Sequence, residues 1–367
     1  MSPLALPSFE IQGFRAFEYL NIERLGRVNL FVGKNNVGKT SLLEALWVYA
    51  NQGSPGVLWS LLVDRNESES ISPARIGDRW SEDELEKQFT TIRYLFYGRK
   101  ETPQNQVISL GPKQNRKNAL SIEYTTMKEN GISNQASLFE DDAGIEMPAI
   151  VIRFGGNTNQ IRLDRFFTRR LREPFGTIPE NKNIFVPANG LLSSDVGRFW
   201  DNITLGAAES DVLESLRLLD ARIERVNLIG SARDSRERIP IVKISEFGQP
   251  MPLRSLGEGM NRMFGLALAM VNAKGGMLLV DEIESGLHYS VLPKMWDFIF
   301  ESAKRLDVQV FTTTHSWDCI DGFQKAATKS EDDGILIRLE NKKGKIIPTI
   351  FQEKELAIAT REQIEVR

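Results

Sequence analysis

Hydrophobic and polar positions alternate with a period of two over the first part of the chain. Phe9 and Ile11, then Leu20 and Ile22, stand between polar neighbours, and Val28 to Val32 is a compact apolar run. This pattern predicts short strands over residues 9–32. A glycine-bounded loop follows at 33–38, and the period then becomes helical. Leu42, Leu43, Leu46 and Tyr49 share one face of a helix predicted from Lys39 to about Ala50. Residues 51–80 are rich in Gly, Pro and Ser and read as irregular chain, before a polar helix predicted over Ser81–Tyr97. From 104 to 163 the segments VISL, LSIEYTT and AIVIRF read as strands joined by polar turns, with an acidic loop at 128–144 expected to be mobile.

A helical part is predicted over roughly 190–228. IVKISEF, 241–247, reads as a strand, and a helix follows from Gly259 to Asn272. MLLVDE, 277–282, is an expected buried strand, Tyr289 to about Leu306 a helix, and VQVFTTTH, 308–315, the next strand. ILIRLE and KIIPTIF read as closing strands. Strands and helices alternating at both ends of the chain predict an α/β fold with a mostly parallel core sheet. No internal repeat or long coiled-coil arm is visible.

A chain of 367 residues can hold two or three structural units. Its apolar and charged fractions, 41% and 26%, are those of an ordinary globular protein. A formal net charge of −3 argues against a wholesale nucleic-acid binder but leaves room for local basic patches. The single Cys319 excludes an internal disulfide framework and a thiolate zinc cluster, and points to a reducing cytoplasm. No apolar run approaches the roughly 20 residues that span a bilayer, and MSPLALPSFE lacks the regions of a signal peptide. The expected location is therefore cytoplasmic, with no membrane partner.

Gly33-Lys34-Asn35-Asn36-Val37-Gly38-Lys39-Thr40 matches G-x-x-x-x-G-K-[ST] throughout. Phosphates need several donors converging on one point. Glycines let the backbone curl so that successive N–H groups face inward, and the following helix adds its dipole. Gly33, Asn35, Asn36, Gly38, Lys39, Thr40 and Ser41 are the expected ATP-binding residues. Lys39 is expected to reach the β and γ phosphates, and Thr40 to coordinate Mg²⁺, which takes oxygen ligands. The competing reading is a glycine turn without a ligand. The apolar strand before it and the helix after it favour the phosphate loop.

Met277-Leu278-Leu279-Val280-Asp281-Glu282 is an apolar run ending in two carboxylates. Such a strand can carry Asp281 to a sheet edge, where it would serve the metal, and leave Glu282 to polarise an attacking water. Alone the pair is a weak signal; beside the phosphate loop it is the expected second half of one site. The 242 residues from Lys39 to Asp281 imply a sizeable insertion between the halves. His315, at the end of the next strand, is a candidate for sensing the γ phosphate, against the alternative of a satisfied core histidine. His288, the only other histidine, is a weaker candidate. Ser255-Leu256-Gly257-Glu258-Gly259 precedes a helix and forms a second potential anion site, or else simply an N-cap. A dimer that offers Ser255 and Gly257 to its partner's nucleotide would use both sites.

These pieces together resemble an ABC-type ATPase head of the RecF, SMC and OLD branch. IQGFRAF, 11–17, is similar to that branch's opening strand, and GKNNVGKTSLLEAL to its nucleotide loop. LRSLGEGMNRMFGLALA is similar to its signature segment, LLVDEIESGLHYS to its Mg²⁺ and catalytic strand, and TTTHS to its switch segment. The best likeness is to compact OLD-like ATPases of bacteria and archaea, many of which serve in anti-phage defence. The resemblance covers under a third of the chain and leaves residues 60–240 unmatched. It implies a discontinuous head over 1–345, with its core at about 1–60 and 240–345. An antiparallel β-lobe and helical insertion fill 61–239, and a strand and helix tail is expected at 346–367. Two departures stand out: Glu258 and Gly259 where transporters approach L-S-G-G-Q, and only 52 residues after His315, too few for the Toprim nuclease of full-length OLD proteins. The glutamine lid loop of such heads is not placed.

The implied activity is ATP binding and hydrolysis, with Glu282 and His315 catalytic, Thr40 and Asp281 at the metal, and a homodimer closing around ATP. The implied role is regulation of an effector, a nuclease in particular, in DNA maintenance or anti-phage defence. A transporter's nucleotide-binding subunit and an ATP-stabilised scaffold with little turnover are the alternatives. Arg162, Arg165, Arg169, Arg170 and Arg172, and then Arg222, Arg225, Arg233, Arg236 and Arg238, are clusters that suit DNA or a protein partner. Acidic neighbours also allow a plain salt-bridged surface.

Overall fold

The apolar runs become buried strands. A computed structural model describes residues 4–67, 91–100, 105–113, 116–128, 146–163, 182–231, 238–329 and 333–351. In it β3 (Val28–Val32), β12 (Met277–Val280) and β13 (Gln309–Thr313) are buried at every position. Burial without alternation is what a parallel strand covered on both faces requires. With β8 (Ile184–Val186), β14 (Gly334–Lys342) and β15 (Lys345–Phe351) they form a six-stranded sheet of order β15-β14-β3-β13-β12-β8. Every pairing from β14 to β8 is parallel, and only β14 and β15 form an antiparallel hairpin.

The described chain divides into two compact units. One comprises Met1–Pro7, Glu23–Leu43 and Asn181–Arg367; the other comprises Ser8–Ile22 and Glu44–Glu180. The cut thus falls inside α1 (Lys39–Ala50) and at residue 180, away from the expected positions near 60 and 240. Strand pairing supplies the reason. β1 (Phe9–Phe14) pairs with β2 (Phe17–Ile22) on one side and with β4 (Val107–Gly111) on the other, whereas β8 is laddered to β12.

In the first unit, α5 (Glu258–Asn272), α6 (Leu292–Leu306) and α7 (Trp317–Ala327) supply much of the core. Trp296 packs edge-on to Phe323 at 5.0 Å and donates its indole N–H to the Cys319 carbonyl at 3.0 Å, so its one polar atom is satisfied. α3 (Ser193–Ile203) and α4 (Ala207–Arg217) join the same core, together with a three-stranded antiparallel sheet. That sheet has the order β11-β10-β9, from β9 (Ile223–Gly230), β10 (Arg238–Ile244) and β11 (Met251–Pro252).

In the second unit β1, β2 and β4 continue into β5 (Leu120–Lys128), β6 (Glu146–Phe154) and β7 (Asn157–Arg162), all antiparallel. A buried ionic network accompanies this sheet. The Arg15 guanidinium meets Glu44 at 3.1 Å and Glu67 at 2.9 Å, and Arg65 meets the other Glu44 oxygen at 2.7 Å. Burial pushes the Glu44 carboxyl up, while Arg15 and Arg65 pull it back down.

Several expectations need correction. Residues 55–64, read as irregular, form α2 (Pro55–Asp64): Pro55 suits a first helical turn, and Val57, Leu58, Leu61 and Leu62 give it a buried face. The helical part ends at Arg217, because 223–230 alternates and pairs as β9. Of the helix expected over Ser81–Tyr97, residues 81–90 lie outside the described residues; beyond them a 3₁₀ turn spans Arg93–Leu95, and Phe96 bridges Phe14. β8 had no reading of its own. The acidic loop, apart from Lys128, lies outside the described residues, as do Arg165, Arg169, Arg170, Arg172, Arg233 and Arg236. Of the described arginines, Arg222 pairs with Asp220 and Glu246, and Arg238 with Asp201.

Cys319 is fully buried, and burial pushes its thiol well above the ordinary range, which leaves no appreciable thiolate at neutral pH. The folded protein should therefore resist a disulfide-exchange reagent at pH 7.5, with the one thiol appearing only on addition of denaturant. Rapid stoichiometric labelling of the native protein would refute this burial.

Candidate active site

The phosphate loop leaves β3 at Val32 and enters α1 at Lys39. Within it Gly33, Asn36 and Gly38 all have positive φ, at 146°, 62° and 100°. Left-handed residues alternating with ordinary ones curl the chain so that amides converge, the geometry of an anion nest. Gly33 is also sterically required, since a Cβ there would lie 2.5 Å from the Leu339 carbonyl oxygen. Asn35 and Asn36 are exposed, Gly38, Lys39 and Thr40 half-buried, and Ser41 buried. Lys39 Nζ folds over the loop and donates to the Gly33 carbonyl at 2.6 Å and the Lys34 carbonyl at 3.1 Å. Burial lowers its pKa, while Asp281, Glu282 and Glu284 act in the opposite sense. The lysine therefore already senses the acids 242 residues further on.

Parallel register brings those acids in. Val280 is paired with Thr312, so the next residues, Asp281 and Thr313, emerge together at the carboxyl edge of the sheet. Asp281 Oδ2 accepts from Thr40 Oγ1 at 2.9 Å, and its Oδ1 accepts from Thr313 Oγ1 at 2.5 Å. The same threonine oxygen accepts the Glu282 N–H at 2.8 Å. Glu282 has φ 45°, left-handed for a residue with a side chain, and such conformations concentrate where a side chain must be aimed. Its carbonyl and that of Asp281 each accept from Arg262 Nη2 at 3.0 Å, while Arg262 Nη1 donates to the Pro187 carbonyl at 3.0 Å. Burial lowers the Arg262 pKa, and Glu284, Asp281 and Glu282 counter it.

The Glu282 carboxylate itself is 42% exposed, with a long contact from Ser285 Oγ at 3.3 Å. His315 Nδ1 lies 3.6 Å from Glu282 Oε1 and 3.5 Å from Glu284 Oε1, and the His315 N–H donates to Glu284 Oε1 at 3.1 Å. A hydroxyl and a carboxylate in direct contact, Thr40 and Asp281, form a donor set that fits Mg²⁺, which uses one or two protein oxygens and completes its shell with phosphates and water. Among the described residues no cluster of three His, Cys, Asp or Glu side chains could cage an ion without them.

Phosphate loop, Asp281, Glu282 and His315 thus share one edge. Ser255 and Gly257 do not join them: among the described residues no hydrogen bond or ion pair links either to the loop. Both are exposed, and Gly257 stands at the head of α5 without a side-chain cap. His288 faces solvent, bonds Ser290 Oγ at 2.9 Å and packs on Tyr289, away from the acids. Three residues without an assigned role from sequence are in the site: Thr313, Arg262 and Glu284. Arg262 had a signal, a single arginine in the otherwise apolar face of a buried helix.

Two family models match the chain: "AAA ATPase domain" over residues 5–146 and "AAA domain, putative AbiEii toxin, Type IV TA system" over 163–318. The chain is similar to a Helicobacter pylori "ATP/GTP phosphatase", 22% identical over 349 residues, covering 86% of each chain. It is 38% identical over 82 residues to a Methanocaldococcus jannaschii protein, MJECL11, across 22% of this chain and 72% of that one. Among solved structures it is similar to an SMC head bound to the C-winged helix domain of ScpA, at 13% identity and TM-score 0.49, over 95% of this chain and 98% of that chain. Among the described residues no helix is long and apolar enough to cross a membrane. The two AAA-domain matches, each over less than half of the chain, agree with the α/β P-loop fold shown by its own parallel sheet and by the phosphate loop between β3 and α1.

Proposed function

We propose that this chain binds ATP at the 33–41 loop and hydrolyses it to ADP and phosphate, with Glu282 as the general base. The observation that carries the reading is the Thr40–Asp281–Thr313 contact, which ties the phosphate loop to the strand end bearing Glu282. Lys39, released from its own loop carbonyls, would pair with the β and γ phosphates. Glu282, half in solvent and weakly bonded, is free to take a proton from water as the water oxygen bonds to the γ phosphorus and the bridging oxygen leaves with ADP. Thr40 and Asp281 would hold Mg²⁺, whose charge offsets that of the phosphate oxygens. The phosphatase name of the Helicobacter pylori relative supports turnover over a purely structural use of ATP.

The proposed assembly is a homodimer closed by ATP. Ser255 and Gly257, exposed before α5 with its first amides uncapped, suit the γ phosphate of a second copy. An OLD-like effector role follows from the signature and switch segments: the ATP state would govern a partner, a nuclease in particular, in DNA maintenance or anti-phage defence. Direct DNA contact draws less support, since Arg222 and Arg238 are engaged by acids. The proposed cytoplasmic compartment rests on cysteine usage alone.

Lys39→Ala should weaken ATP binding at least about tenfold by calorimetry, because a charge-assisted phosphate contact is lost. Glu282→Gln should bind ATP with near wild-type affinity, lose about 100-fold or more in turnover, and sediment as an ATP-dependent dimer. Wild-type turnover in that variant rules out Glu282 as the base. Absence of ATP hydrolysis in the wild type, with and without DNA, favours the scaffold reading.

A further inference from the structure

We propose that Glu284 is the positioning residue for His315, holding the histidine ring in place and so keeping Glu282 free to act on water. This rests on the reading of the site as an ATPase. The Glu284 carboxylate is only 10% exposed and points to the end of β13. Its Oε1 takes the His315 N–H at 3.1 Å and lies 3.5 Å from the ring Nδ1, and its Oε2 is buried without a hydrogen-bond partner. Burying a carboxylate with one oxygen unsatisfied is costly, so a plain structural tie would be poorly served by it. The tie between the two segments is in any case already made by Ile283 N–H to the Thr313 carbonyl at 3.1 Å and Glu282 N–H to Thr313 Oγ1. What Glu284 adds is directed at the histidine.

The two carboxylates near Nδ1 are not equivalent. Glu282 is 42% exposed and Glu284 is locked in the interior. The buried one therefore fixes the ring, places a proton on Nδ1, and leaves Nε2 as the ring nitrogen able to meet substrate. Without Glu284, His315 would fall onto Glu282 and engage the base.

The test uses E284A, E284Q, H315A and the E284A/H315A double variant, all checked for thermal unfolding. Turnover and KM for ATP are measured on each, and ¹⁵N-histidine spectra on wild type, E284A and E284Q. The chain has two histidines, so H288Q assigns the signals. E284A should lower kcat about tenfold or more with KM changed less than about threefold. The double variant should be no slower than H315A, since both remove one unit. The His315 signals should leave the Nδ1-protonated pattern in E284A while those of His288 stay put. E284Q, which keeps an acceptor for the His315 N–H, should fall between wild type and E284A, and it carries the comparison if E284A does not fold. Multiplicative losses in the double variant, or unchanged His315 signals in E284A, overturn the proposal. If the wild type hydrolyses no ATP, the hydrolysis reading falls by itself, and the histidine spectra alone decide the role of Glu284.

Discussion

Thr313 occupies the point on which the site depends. Its hydroxyl donates to Asp281 and accepts from the amide of Glu282, while Asp281 takes the hydroxyl of Thr40 with its other oxygen. Three chain segments meet there because three strands, β3, β13 and β12, run parallel and in fixed register. A one-residue slip of β12 against β13 would send every side chain of β12 to the opposite face, and Asp281 would lose both partners. The hydrophobic burial of VNLFV, QVFTT and MLLV sets that register. The polar contact at the edge is its consequence. Closing a flexible loop costs only about 0.6 kcal/mol more for each doubling of its length. The separation of 242 positions from Lys39 to Asp281 is therefore no thermodynamic obstacle once the sheet forms.

Holding the Glu282 turn in a left-handed conformation costs on the order of 1–3 kcal/mol, and something must over-determine it. Two side chains do so, one as donor and one as acceptor. The turn's carbonyls are taken by Arg262 from α5, and its amide goes to the hydroxyl of Thr313 from β13. Arginine suits this place because its planar fork offers several donors in a fixed geometry and it stays charged even when burial lowers its pKa. A lysine could not satisfy three carbonyls on two neighbouring segments with the same rigidity. The helix that begins at the exposed Ser255 turn is thereby tied to the backbone of the carboxylate pair.

How far this was legible from sequence varied with the scale of the signal. α1 agreed with its predicted span because Leu42, Leu43 and Leu46 give an unambiguous helical face and the loop marks its start. β3, β12 and β13 were visible as runs, and the phosphate loop and both carboxylates followed from them. α2 was missed because Pro55 and Gly56 look like loop punctuation, although proline at a helix start disrupts nothing. β8 is three residues long and exists through its pairing with β12, a tertiary fact that no local pattern carries. Arg262 stood out as the one arginine on an apolar helix face, whereas Thr313 and Glu284 were hidden for a related reason. Their roles are hydrogen bonds to backbone or to residues far off in sequence, and neither composition nor spacing encodes those.

Neighbouring carboxylates on one strand end are also divided by their surroundings into unlike groups. Asp281 is buried and spends both oxygens on threonine hydroxyls, so its position is set and its charge directed at the phosphate loop. Glu282 is one residue further along. The left-handed turn swings its side chain outward, where it keeps 42% of its surface and one weak contact. A fixed, fully bonded carboxylate suits a charge-holding role, and a looser one with room for water suits proton transfer. The division follows the backbone angle at Glu282, and that angle is held by Arg262 and Thr313, which bond the backbone of the turn and leave the Glu282 carboxylate untouched. The chemistry of the pair is thus decided in the packing behind it.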